Sequence, residues 1–207
     1  MSIIDVIETR RKYDRLCKDV VEKTNTFFRE LVDEYDKSAR DIHTKLPGSI
    51  QIVESSEKSY RFKILNHNFA LTVHDEVALV DMDAEINKRF PTRDFIEIIV
   101  NEPEVTNKLA GCITLTAKLD IGYVTIMRIF VNHKEKIAYE YGIGWRHDPI
   151  FTDKGNVGPL MKEEFFENPI TWFVLGEHAK WSPIKDIRIT DNVTYLKPNK
   201  IGFTPAP

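Results

Sequence analysis

The chain has 207 residues, 42% hydrophobic and 29% charged, with a formal net charge of −3. That is the make-up of an ordinary soluble protein of one domain, or one domain with an appendage. The near-neutral balance leaves no electrostatic footprint for nucleic acid or another polyanion. No apolar run is long enough to cross a bilayer, and the N-terminus carries Asp5 where a signal peptide would need an apolar block.

The first element is an unusually long helix. Ser2 followed by Asp5 has the spacing of a capping box, and the next Pro or Gly is Pro47, then Gly48. Between them Tyr13, Cys17, Val20, Thr24, Phe27, Leu31, Tyr35 and Ile42 recur at threes and fours, with Leu16, Val21 and Phe28 widening the stripe. Acid-before-base pairs four residues apart recur along it, among them Asp19 with Lys23, Asp36 with Arg40 and Asp41 with Lys45. A helix over residues 3–45 measures about 64 Å. The rest of the chain would form a globule roughly 35–40 Å across. The helix must therefore break, for which Thr24-Asn25-Thr26 is the candidate, or it must overhang and cover its stripe against a partner.

After Gly48 the period changes from helical to alternating. SIQIVE, SYRFKILN, HNFALTVHDE, VALVDM, DFIEIIV, GCITLTAKL, YVTIMRIFV and KIAYEYGIGW each read as strands. Polar turns fall at 55–58, 66–68, 120–122 and 132–135. DAEINKRF reads as a helical turn or two. About eight strands at hairpin spacing, without helical crossovers, predict one antiparallel sheet. Helix returns with Gly158-Pro159 opening LMKEEFFE, and Asn168-Pro169 reads as a cap and first-turn proline opening ITWFVLGEHAKW. IRITDNVTY alternates and predicts a late edge strand, and the proline-rich KPNKIGFTPAP reads as extended. The fold class is α+β: a long N-terminal helix over residues 1–46, then a unit over residues 47–207 holding the large antiparallel sheet and one or two C-terminal helices.

Few motifs carry chemistry. VALVDMDAE resembles the opening motif of haloacid-dehalogenase-type phosphatases in one respect, the paired Asp81 and Asp83 after a greasy strand. That resemblance implies an aspartyl nucleophile and an acid/base beside Mg²⁺. The chain departs from the pattern at Ala84, where the family has Gly, and has no later acidic pair. The residues read instead as a strand end, with Asp83 capping the turn that follows. His74-Asp75-Glu76 with Asp81, Asp83 and Glu85 could gather carboxylates for a divalent cation, but reads more simply as a solvated strand end. Cys17 and Cys112 have no CxxC spacing and no nearby histidines, so the thiols read as reduced and no metal or cofactor is expected. Lys88, Arg89 and Arg93 around Phe90 form one compact basic patch. Trp172, Phe173 and Trp181 read as packing residues.

The densest group is Trp145, Arg146, His147 and Asp148, which follows Gly142 and Gly144 and precedes a loop, FTDKGNVGP, able to act as a lid. Arg holds a carboxylate or phosphate bidentately, His moves a proton, and Asp orients the imidazole. The leading expectation is a non-catalytic cytoplasmic interaction protein that binds a protein partner, with a homodimer through residues 3–45 and neither nucleic acid nor membrane as partner. The alternative is a small-ligand-binding protein or enzyme using residues 145–148.

Overall fold

The computed structural model describes residues 2–80, 89–90, 93–119, 122–141, 150–175, 189–190 and 193–196. The sequence becomes one uninterrupted helix, α1 (Ile3–Lys45), of 43 residues. It does not break at Thr24-Asn25-Thr26. The threonine hydroxyls turn back into the helix, Thr24 Oγ1 donating to the Val20 carbonyl at 2.7 Å and Thr26 Oγ1 to that of Glu22 at 3.0 Å. They thereby leave the backbone ladder intact. Tyr13, Val20, Thr24, Phe27, Phe28, Leu31 and Tyr35 are buried. The helix stops where Pro47 and Gly48 follow, Gly48 taking the left-handed φ of 82°.

Two of the anticipated helix ion pairs give way to longer-range partners. Lys23 reaches Glu135 at 2.9 Å, and Asp36 accepts from the Tyr60 hydroxyl at 2.7 Å.

The main path of the sheet is seven antiparallel strands in chain order. They are β1 (Ile50–Ser55), β2 (Ser59–Ile64), β3 (His67–Val80), β4 (Leu109–Leu119), β5 (Gly122–Asn132), β6 (Lys136–Tyr141) and β7 (Thr152–Asp153). The expected count of about eight fails at identifiable places. HNFALTVHDE and the VALV that follows it are one strand, because a bulge between Val73 and Val77 absorbs the polar HDE without ending the pairing with β4. DFIEIIV is not a strand but the helix α2 (Phe95–Asn101), started by Asp94, whose side chain accepts from the amides of Ile96 at 2.9 Å and Glu97 at 3.4 Å. A single cap outweighs the β propensity of its isoleucines, and burial of Ile98 and Ile99 beside Tyr13 and Val20 of α1 completes the choice. In the other direction, β7 arises inside the segment read as a lid loop.

The late strand does form, as β8 (Ile189–Thr190) and β9 (Val193–Leu196). It sits not at the end of the meander but beside β3, where Val77–Val80 pair with 193–196.

α1 lies on one face of the sheet. Phe27, Leu31 and Tyr35 share a core with Tyr60 and Phe62 of β2, Phe69 of β3, and Met127 and Ile129 of β5. The helix comes close to the sheet at Gly111 of β4. A Cβ there would come within 2.9 Å of Thr24 Cβ, so only glycine lets the helix down onto the strand. A short helix, α3 (Pro103–Thr106), returns the chain from α2 into β4.

The C-terminal helical segment closes the same core. It runs through α4 (Lys154–Val157), a 3₁₀ turn (Gly158–Leu160), a π-helix (Met161–Glu167) and α5 (Asn168–Val174) without a break. Asn168 is therefore not a cap: its amide donates to the Glu163 carbonyl, five residues back. Pro169 explains the irregularity. It has no N–H for the Phe165 carbonyl in α geometry or for the Glu164 carbonyl in π geometry. Two tyrosines supply the missing donors, the buried Tyr35 to the Phe165 carbonyl and the half-buried Tyr141 to the Glu164 carbonyl at 2.6 Å. Phe165, Phe166 and Phe173 are thereby set into the aromatic core, Phe166 edge-on to Tyr35 at 4.8 Å between centroids. Trp172 packs against Tyr141 at 5.0 Å.

Candidate functional site

The expected pocket residues Trp145, Arg146, His147 and Asp148 lie outside the described residues, as do Asp81, Asp83, Glu85, Lys88 and Trp181. The described neighbours of those motifs are placed. Asp75 is ion-paired to Lys58, and His74 sits in the β3 bulge region with its Nε2 2.9 Å from Thr114 Oγ1. Among the described residues no three His, Cys, Asp or Glu side chains gather as a metal site. The basic patch is neutralised where it is described: Arg89 pairs with Glu104 at 3.0 Å, and Arg93 with Glu97 at 3.3 Å and Glu102 at 2.5 Å. Both guanidiniums also lie over the Phe90 ring.

The first surface that stands out is the start of α1. Ser2 Oγ accepts from the Asp5 amide at 3.2 Å while the Asp5 carboxylate accepts from the Ser2 amide at 2.7 Å, a complete capping box. Those bonds, backbone first, hold the Asp5 carboxyl below its ordinary range. The cap fixes the end of the helix as helix, yet nothing described covers it. Ile3 is 72% exposed, Ile4 64%, Val6 46% and Ile7 45%. The opposite end of the stripe is different, with Leu31 and Tyr35 buried and Ile42 partly so. Among the described residues, the sheet and C-terminal helices thus cover one end of α1 only. Arg10, Arg11, Lys12 and Arg15 follow the exposed isoleucines. Arg10 is held by Asp14 at 3.0 Å and lies over Tyr13, while Arg11, Lys12 and Arg15 point to solvent.

A second constellation crosses the other face of the sheet. Register places Thr72, Thr114, Arg128 and Glu140 side by side on β3, β4, β5 and β6. Arg128 is ion-paired to Glu140, and their side chains are only 3% and 15% exposed. Beside them lie the buried Cys112, Phe130 and Ala138, with Phe151 against them. A pair so far from water interacts in a low-dielectric setting. His74 joins the row through Thr114. Burial lowers its pKa, against the opposing pull of Glu76 and Asp75. Sequence reading passed over Arg128 because it sits inside the greasy TIMRIFV. The signal was there: alternation puts it on the face of Phe130, so a charge is buried and needs a partner.

Protein-family models, characterised proteins and solved structures were compared with this chain, and none matches it. No helix of the described residues is long and apolar enough to cross a membrane.

Proposed function

We propose that this chain is a non-catalytic protein-interaction module whose working element is the overhanging start of α1, and that its occupant is a second copy of the same chain. The observation that carries the reading is the capped, ordered helix end with Ile3, Ile4, Val6 and Ile7 facing water. Soluble proteins avoid contiguous apolar surface unless something covers it. The order of charges selects the occupant. Acids Asp5 and Glu8 come first along the helix, and bases Arg10, Arg11, Lys12 and Arg15 come after. A second helix running the opposite way sets acids against bases on both sides at once, which a parallel pair does not. Ile3 and Ile7 then meet the aliphatic stems of Arg15 and Arg11 from the other copy. Such a pairing is isologous, the commonest form of homodimer.

Sedimentation equilibrium across the micromolar range tests this. The expected result is a monomer–dimer equilibrium that Ile3→Asp with Ile7→Asp shifts to monomer, with the melting temperature of the monomer unchanged. Glu8→Lys should weaken the dimer, and adding Arg11→Glu to it should restore part of the loss. A wild-type chain that stays monomeric throughout, or a dimer indifferent to the isoleucine changes, would refute the reading.

A further inference from the structure

The end of α1 and the edge strand β1 enclose an open groove of about 470 Å³. Ala39, Arg40, His43 and Thr44 form its helical wall, and Ile50 and Ile52 form the other. β1 begins the sheet, and among the described residues no strand lies on its outer side. After the buried Ile50 every residue of β1 is exposed, Ile52 by 44% and Val53 by 59%. The Leu65 amide donates to the Ser49 carbonyl at 2.8 Å, and the pairing with β2 then runs residue by residue from Ile50 to Ile52. Main-chain groups alternate in direction along an antiparallel pair. Ser49 and Gln51 therefore turn theirs towards β2, and Ile50 and Ile52 turn theirs outward. At the exposed Ile52 the groove thus presents an outward N–H and C=O beside an apolar floor, the features to which an added extended chain pairs.

Two features limit what can be added. The bulge at Val53, between the pairings of Ile52 and Glu54, ends the regular edge. An edge interrupted in this way takes a short strand and resists open-ended growth into another sheet. The charge of the walls then selects the side chains. No acidic side chain lines the groove among the described residues. Arg40 is exposed, and Asp36, one turn before it, accepts from the Tyr60 hydroxyl at 2.7 Å, so Arg40 has no ion-pair partner among the described residues. His43, one turn further on and also exposed, adds a ring N–H. We infer that this groove binds a short extended segment of a partner protein by strand addition to β1, with a carboxylate side chain set against Arg40 and His43 and an aliphatic one against Ala39 and Ile52.

The site is at the opposite end of α1 from the exposed isoleucines, so it stands or falls separately from self-association there. The probe is a capped pentapeptide, Thr-Val-Thr-Glu-Thr, whose Val and Glu share one face of a strand. It is titrated into the full chain and followed by amide chemical shifts. Saturable shifts should cluster on residues 39–44 and 50–53. Successive N–H groups of a strand point to opposite sides. Of two probes N-methylated at the third or at the fourth residue, one should keep its affinity and the other lose about fivefold or more, the worth of one hydrogen bond. Exchanging Glu for Lys in the probe should weaken binding. Arg40→Glu should weaken the Glu probe by about threefold or more and reverse the order of the two. Ile52→Pro should abolish binding by removing the outward N–H. Proline is tolerated on an edge strand where the missing donor faces solvent, and if this variant fails to fold the N-methylated pair still decides. Absence of saturable binding, shifts placed elsewhere, equal effects of the two N-methyl groups, or indifference to Arg40→Glu would overturn the assignment. So would shifts at residues 50–53 that appear on concentrating the chain without probe, since β1 would then be pairing with its own copy.

Discussion

Gly111→Ala probes the contact on which the placement of α1 depends. At an open strand position this substitution stabilises slightly, because alanine restricts the unfolded chain and glycine weakens a strand. Here the added Cβ would lie 2.9 Å from Thr24 Cβ and 3.0 Å from its Cγ2, with Oγ1 closer still. Thr24 is fully buried and anchored to Val20, so it cannot swing away. Either α1 lifts from β4 or β4 bows outward. Overpacking of this kind costs about 1–3 kcal/mol, and the immobility of the neighbour places it towards the upper end. In a chain of this size a loss of about 3 kcal/mol lowers Tm by about 6–12 °C. Thr24→Ala removes Oγ1 and Cγ2, so in that background the Gly111→Ala penalty should shrink by about 1 kcal/mol or more. Thermal and urea unfolding of the four members of this cycle measure the coupling. If Gly111→Ala is neutral or stabilising, or if the two changes simply add, the close packing of α1 on β4 is not what seats the helix.

Two further outcomes follow from the second face of the sheet. Arg128→Met alone should cost about 3–5 kcal/mol by removing the buried charge paired with Glu140, while Arg128→Met with Glu140→Leu should recover most of it. Urea midpoints at constant m give both values, and a single change within about 1 kcal/mol of wild type would show that the pair is not desolvated. The pH dependence has a definite sign. Burial lowers the pKa of His74, and burial together with Lys134 lowers that of His133. An unfolded histidine takes up its proton near pH ~6.5, whereas these two stay neutral to lower pH in the folded chain. The unfolded state then binds more protons, so this part of the stability is lost as pH falls below about 6.5. Chemical denaturation at pH 7.5 and 5.5, compared with His74→Gln plus His133→Gln, should show a shallower loss in the variant. An unaltered slope would mean that neither histidine is responsible.

Local chemistry in the sequence determined a good deal. The span of α1 followed from Ser2, Asp5 and Pro47 with a stripe at threes and fours, because capping and helical periodicity act over a few residues. The α+β class, the antiparallel sheet and the late strand followed from alternation and turn spacing for the same reason. Tertiary structure decided the rest. DFIEIIV became a helix because Asp94 caps it and Ile98 and Ile99 find Tyr13 and Val20, a contact between segments remote in sequence. The polar HDE stayed inside β3 because β4 continues to pair beyond the bulge. The irregular helix at 161–167 needed Tyr35 and Tyr141, remote in sequence, to replace the donor that Pro169 lacks. Which end of α1 is left bare is likewise a matter of where the sheet and the C-terminal helices end. The groove between the end of α1 and β1 and the meeting of Arg128 with Glu140 are invisible along the chain. Periodicity says which face a residue takes, but only the assembled neighbours determine what that face meets.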